Sequence, residues 1–175
     1  MVPTKGVYFV AHHFQQGWQW YLNHFAEAGS EEIVAEISHS YLYSEQARDE
    51  IAEMNPDIKL MMCLRNPVDR AVSMYLDGLR NGKWSGSLAA RIEDTPEIAD
   101  EGCYAKYVAS YLERFAREQI HISLFDELKQ DPEQYAQKTF EFLGVTPMPL
   151  ESRLQTKVMP ASLPRNERIC GATKN

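Results

Sequence analysis

One handover constrains this chain more than any other feature. Ile58-Lys59-Leu60-Met61-Met62-Cys63-Leu64, a nearly unbroken apolar run, passes directly into Arg65-Asn66-Pro67-Val68-Asp69-Arg70. The run follows a turn signal, Asn55-Pro56-Asp57, and reads as a strand covered on both faces of a parallel sheet. Asn66 then suits a helix N-cap, Pro67 the first helical position and Asp69 the first turn. Val72, Tyr75, Leu76 and Leu79 continue at i, i+3, i+4 and i+7, the stripe of a packed helix that ends near Arg80. A strand feeding a capped helix is the start of a crossover unit, so a parallel sheet with right-handed connections is expected.

The remaining segments agree with that class. A helix is expected over about 15–28, with Trp18, Tyr21, Leu22 and Phe25 on one face and Gly29 to close it. Ile33–Ile37 is β-prone, and Ser44 can cap a helix running to about Met54. Residues 81–101 read as a polar loop, helical in part around Leu88–Ile92, before a helix over about 103–117. Gln119–Phe125 alternates as a strand, and Asp131-Pro132-x-Gln134 opens a helix stopped by Gly144. At 175 residues this is one domain, 1–175. A formal charge of −7 argues against general binding to nucleic acid or to an anionic membrane. No apolar run approaches the roughly 20 residues that span a bilayer, and the first residues lack the pattern of a signal peptide. Cys63, Cys103 and Cys170 are odd in number with no CxxC, as expected of reduced thiols in a cytoplasmic protein. The five histidines show no ligand spacing, so no metal is expected.

Ligands of such sheets lie beyond the carboxyl ends of the strands, which directs attention to Arg65. A capped helix start favours an anion, and a guanidinium adds a planar fork suited to phosphate oxygens. Ser73 lies seven residues after Asn66, two helical turns less about 20°, so its hydroxyl shares the face of the cap. Residues 65–83 hold four basic and two acidic side chains, a positive island in an acidic protein. A purely structural alternative stands beside this: Arg65 pairing with Asp69 or another carboxylate, and Ser73 on the surface or bonded back to its own helix.

Leu64-Arg65-Asn66-Pro67-Val68-Asp69-Arg70-Ala71-x-Ser73-x-Tyr75 resembles the 3′-phosphate-binding segment of sulfotransferases that use 3′-phosphoadenosine 5′-phosphosulfate. Gly17-x-x-Trp20-Tyr21, Glu36-Ile37-Ser38-x-Ser40-Tyr41-Leu42, Gly102-x-Tyr104, Phe125-Asp126-Glu127-Leu128 with Asp131-Pro132, and Phe142-Leu143-Gly144-Val145 resemble further segments of that family, in order, over about 5–145. The resemblance implies an α/β three-layer parallel sheet of the P-loop nucleotide-binding (sulfotransferase) type. It implies transfer of a sulfuryl group from that nucleotide to an acceptor hydroxyl or amine, with carbohydrate as an acceptor class and no metal. By position, Arg65 and Ser73 would hold the 3′-phosphate, Tyr104 would lie on the nucleotide side, and Arg165 in Leu163-Pro164-Arg165-Asn166 would belong to a late basic loop, unless it is a solvated charge.

Two departures bear on activity. The family's lysine-bearing loop for the 5′-phosphosulfate is not found before Thr4, so the domain is expected to be incomplete at both ends. Gly6, in Lys5-Gly6-Val7-Tyr8-Phe9, stands where many members carry the glutamate that deprotonates the acceptor. His12, His13 and Glu36 are the nearby replacement bases, of which His12 and Glu36 are the candidate catalytic pair. The structural alternatives are a histidine pair packed on Trp18 or Trp20 and a carboxylate at a strand end. The rival function is a truncated or non-catalytic relative that at most binds adenosine 3′,5′-bisphosphate.

Overall fold

The computed structural model describes residues 6–29 and 33–150. It is mixed α/β with a parallel sheet, in which β1 (Leu60–Leu64) pairs with β2 (Ile120–Leu124). The helices are α1 (Gly17–Asn23), α2 (Glu45–Met54), α3 (Pro67–Arg80), α4 (Leu88–Asp94), α5 (Glu97–Asp100), α6 (Tyr104–Leu112), α7 (Phe125–Gln130) and α8 (Pro132–Leu143). Among the described residues no helix is long and apolar enough to cross a membrane. The chain divides into two compact units. One gathers the described residues up to Met62 with Ala105–His121 and Glu141–Val145; the other gathers Cys63–Tyr104 and Ile122–Phe140 with the described residues from Thr146 on.

The first unit is built on aromatic and aliphatic burial near its start. Val7, Phe9 and Val10 are buried, as are Ala47 and Ile51 one turn apart on α2, and Tyr111, Phe115 and Ile120. Helix α2 starts where Ser44 Oγ accepts from the Ala47 amide at 3.1 Å, satisfying a donor that has no intrahelical partner. At the other end of this unit's sequence, Lys59 Nζ donates to the carbonyls of Phe142 and Leu143, both at 2.8 Å, where α8 ends.

The second unit is organised by α3. Asn66 Oδ1 accepts from the amides of Val68 (3.0 Å) and Asp69 (3.2 Å), the N-cap expected from sequence. Ala71, Gly78 and Leu79 form its buried face. Arg70 ties α3 to α5: Nη1 donates to Glu101 Oε2 at 2.9 Å and Nη2 to the Ile98 carbonyl. Ser123 of β2 is buried and satisfied by Tyr135 Oη at 2.9 Å. Asp131 Oδ1 accepts from the Gln134 amide at 2.9 Å and starts α8 as its sequence predicted.

Five expectations need correction. The helix expected over about 103–117 ends at Leu112, where the chain turns before a 3₁₀ turn at Arg117–Gln119 leads into β2. Residues 33–38 form no strand, and Ile37 is 71% exposed. A β-prone run becomes a strand only where a neighbour pairs with it, and that condition is not local. Strand β1 is not covered on both faces: Met62 is 8% exposed while Met61 is 47% exposed. The first helix is short, because Phe9–His13 forms a π-helical turn and Phe14–Gln16 a 3₁₀ turn before α1, and residues 24–27 are turns after it. Phe125 ends no strand; it opens α7, where Glu127 Oε2 accepts from the Leu124 amide at 3.0 Å.

Candidate functional site

In the second unit, Arg65 is the first residue past β1 and immediately precedes the α3 cap. Asn66 already occupies the amides of Val68 and Asp69, so those donors are not left for a ligand. The guanidinium is. It pairs with no carboxylate among the described residues, Asp69 included, and its Nε is buried without a partner. Its carbon lies 5.4 Å from the centroid of the Phe125 ring, over the ring face. Its terminal amino groups make no hydrogen bond among the described residues, and stacking through the face leaves their in-plane N–H groups available. Ser73, two turns along α3, is half-buried, and its Oγ has no hydrogen bond among the described residues. The back-bonded alternative for Ser73 and the Asp69 alternative for Arg65 are therefore not the arrangement adopted. Gly102 packs against the start of α3; a Cβ there would lie 3.0 Å from Pro67 Cβ. Tyr104, two residues on, is half-buried at the first position of α6. Arg165 lies outside the described residues.

The first unit holds the other candidates. Glu36 accepts three hydrogen bonds: from the Tyr8 amide (3.2 Å) and Tyr41 Oη (3.0 Å) at Oε1, and from Tyr21 Oη (2.7 Å) at Oε2. Three of roughly four acceptor positions of the carboxylate are thus filled. Burial first, and then Glu36, pushes the Tyr21 phenol above the ordinary phenol range. Tyr41 is pushed up to about 12, mainly by burial, with the Val10 amide acting in the opposite sense and Glu36 adding to the rise. Tyr8 has φ 51°, ψ 32°, a left-handed conformation uncommon for a bulky residue. It is held at both ends, by Glu36 at its amide and by His39 Nδ1, 2.9 Å from its hydroxyl. Backbone outliers and π-helical turns concentrate at functional sites, and here the two adjoin.

His12 and His13 close that π-helical turn and are both exposed. With Val10, Phe14, Gln15, Gln16 and Gln46 they line an open hollow of 400 Å³. The two imidazoles are turned 80° apart; His13 lies 5.1 Å from the Trp20 ring, the packing anticipated for the pair, whereas His12 lies 5.9 Å from the Tyr8 ring instead. Sequence reading missed the partners of Glu36 and of Arg65. Tyr21, Tyr41 and Phe125 all lie within the segments that carried the resemblance, which is the signal that could have found them. Among the described residues no group of three or more His, Cys, Asp or Glu is gathered as for a metal ion.

Gly6 has φ 92°, and a Cβ there would lie 2.6 Å from the Ile37 carbonyl oxygen and 2.8 Å from Tyr8 Cε2. A carboxylate therefore cannot be reinstated at this position by substitution alone. Gly6→Glu is expected to destabilise the chain by about 3 kcal/mol through overpacking and an unfavourable φ. A urea-midpoint shift measures this, and an unshifted midpoint would show that the backbone adapts.

The comparisons with known proteins converge. A family model described as a sulfotransferase domain matches residues 13–163. Heparan sulfate glucosamine 3-O-sulfotransferase 5 of Mus musculus is 27% identical over 146 residues, covering 77% of this chain and 42% of that one. A bifunctional heparan sulfate N-deacetylase/N-sulfotransferase 1 of Caenorhabditis briggsae is 23% identical over 168 residues, covering 85% of this chain and 19% of that one. The chain thus spans less than half the length of these curated relatives. The crystal structure of a sulfotransferase from Alicyclobacillus acidocaldarius superposes with a TM-score of 0.74 at 27% identity, covering 87% of this chain and 76% of that chain. With a family model spanning most of its length and a fold shared with a solved sulfotransferase, the chain belongs to the sulfotransferase domain family.

Proposed function

We propose that this chain binds 3′-phosphoadenosine 5′-phosphosulfate through its 3′-phosphate and transfers the sulfuryl group to a hydroxyl or amine of a carbohydrate. The observation that carries the reading is the guanidinium of Arg65, which pairs with no carboxylate among the described residues and is stacked on Phe125 one residue beyond β1. A dianionic phosphate ester supplies the acceptors that this group lacks, and the Ser73 hydroxyl can donate to the same ester. Tyr104 is assigned to the nucleotide side. The carbohydrate acceptor is supported by the heparan sulfate enzymes among the relatives. In the transfer the acceptor oxygen or nitrogen bonds to sulfur, the sulfur–oxygen bond to the nucleotide breaks, and the acceptor proton passes to a base. Exposed His12 is assigned as that base. Glu36, with three donors already bound, holds the neighbouring backbone and keeps one acceptor position open.

The test has two arms. Adenosine 3′,5′-bisphosphate at about 100 times its Kd should stabilise the chain by about 2.7 kcal/mol, a melting rise of about 5–10 °C at this size. No rise at millimolar ligand would overturn the nucleotide site. Transfer of radiolabelled sulfate to heparan-type acceptors, and its loss in His12→Asn, tests the chemistry. Gly6 favours a second reading, binding without transfer, because it bears no carboxylate and leaves no space for one. A ligand-induced melting rise with no labelled product would establish that reading instead.

A further inference from the structure

β1 and β2 are parallel neighbours, so the first residues beyond their carboxyl ends, Arg65 and Phe125, emerge side by side. The guanidinium carbon sits 5.4 Å from the Phe125 centroid, and the ring is half-buried. Lys129 Nζ lies 4.9 Å from the same centroid and is fixed by Asp126 Oδ1 at 2.6 Å, so the ring is itself held from its own helix. A long, free arginine side chain loses considerable rotamer freedom when it binds an anion. A ring that takes up the face of the guanidinium reduces that loss in advance. Unlike a carboxylate partner, it leaves the edge donors unoccupied.

We infer that Phe125 is a positioning residue for anion recognition: its ring face orients the Arg65 guanidinium so that the in-plane N–H groups meet the 3′-phosphate of the nucleotide. This rests on the nucleotide reading above and adds a residue to it. Phe125 itself touches no ligand oxygen; it acts through Arg65.

The experiment compares, by calorimetry on the full chain, the affinities for adenosine 3′,5′-bisphosphate and for adenosine 5′-phosphate, which lacks the 3′-phosphate. Their ratio isolates what Arg65 and its support contribute. Phe125→Leu should cut the ratio by about five- to tenfold, while the affinity for adenosine 5′-phosphate stays put and Phe125→Tyr restores the ratio. Replacing Phe125 with pentafluorophenylalanine keeps the shape and reverses the ring quadrupole; it should cut the ratio to a similar extent. It keeps the proposal testable if the leucine variant does not fold, because a merely structural ring would be indifferent to the exchange. A ratio unchanged by fluorination, with Arg65→Ala still collapsing it, overturns the role of Phe125 alone. A wild-type ratio near one that Arg65→Ala leaves unaltered overturns the nucleotide reading as well.

Discussion

Arg65→Ala is expected to weaken adenosine 3′,5′-bisphosphate by at least about 100-fold, about 2.7 kcal/mol, while leaving the fold intact. The magnitude follows from charge-assisted hydrogen bonds to a phosphate, each of the order of 1.5–3 kcal/mol, in a fork that water cannot reproduce at a partly buried site. The preserved fold follows from what Arg65 lacks: no carboxylate pair among the described residues, and a buried Nε with no acceptor. Removing that side chain loses the contact with Phe125 but also relieves an unsatisfied donor, so stability should change by less than about 1 kcal/mol. Arg65→Lys should recover only part of the affinity, because an ammonium is a point charge without the planar fork. Calorimetry and urea unfolding on the same samples separate the two effects. Unchanged affinity, or a loss of about 3 kcal/mol in stability, would return Arg65 to a structural role.

Glu36→Ala is expected to cost about 3 kcal/mol of stability. One carboxylate accepts from the Tyr8 amide, Tyr21 Oη and Tyr41 Oη, and its removal leaves three donors in partly buried surroundings, each lacking its acceptor. The left-handed Tyr8 backbone also loses the group that holds its amide. Glu36→Gln keeps one acceptor oxygen but turns a donor toward the remaining phenol or amide, so it should rescue only part of the loss. The same cluster sets an alkaline limit. A phenol whose folded pKa lies above its unfolded value of about 10 binds its proton more tightly when folded. Its contribution is complete below about pH 10 and is lost as pH rises through the folded value, which for Tyr41 is about 12. Tyr21 and Tyr111 are raised still further, both chiefly by burial. Stability should therefore fall steadily above pH 10, and absorbance at the phenolate band should show tyrosines that ionise late and together with unfolding. Phenols that all titrate near 10 in the folded chain would contradict this picture.

What the sequence could say by itself was local. Asn66, Ser44 and Asp131 sit where a short oxygen can take a free amide, and each caps its helix as expected. The i, i+3, i+4, i+7 stripe located α3 to its last residue, Arg80, because helical periodicity repeats within one element. Those same residues placed Arg65 directly after the strand and Ser73 within the helix that follows. Ile33–Ile37 shows the boundary of such reading: its β-branched residues suit a strand, yet among the described residues no strand pairs with it. Glu36 shows it again, since its partners lie 28, 15 and 5 residues away in the chain. The same holds for Phe125, which meets Arg65 only because two strands run parallel and end together. Propensities and caps act over one or two turns, so they are written in the chain itself. Which donor meets which acceptor across tens of residues depends on how the elements pack, and only the tertiary structure decides it.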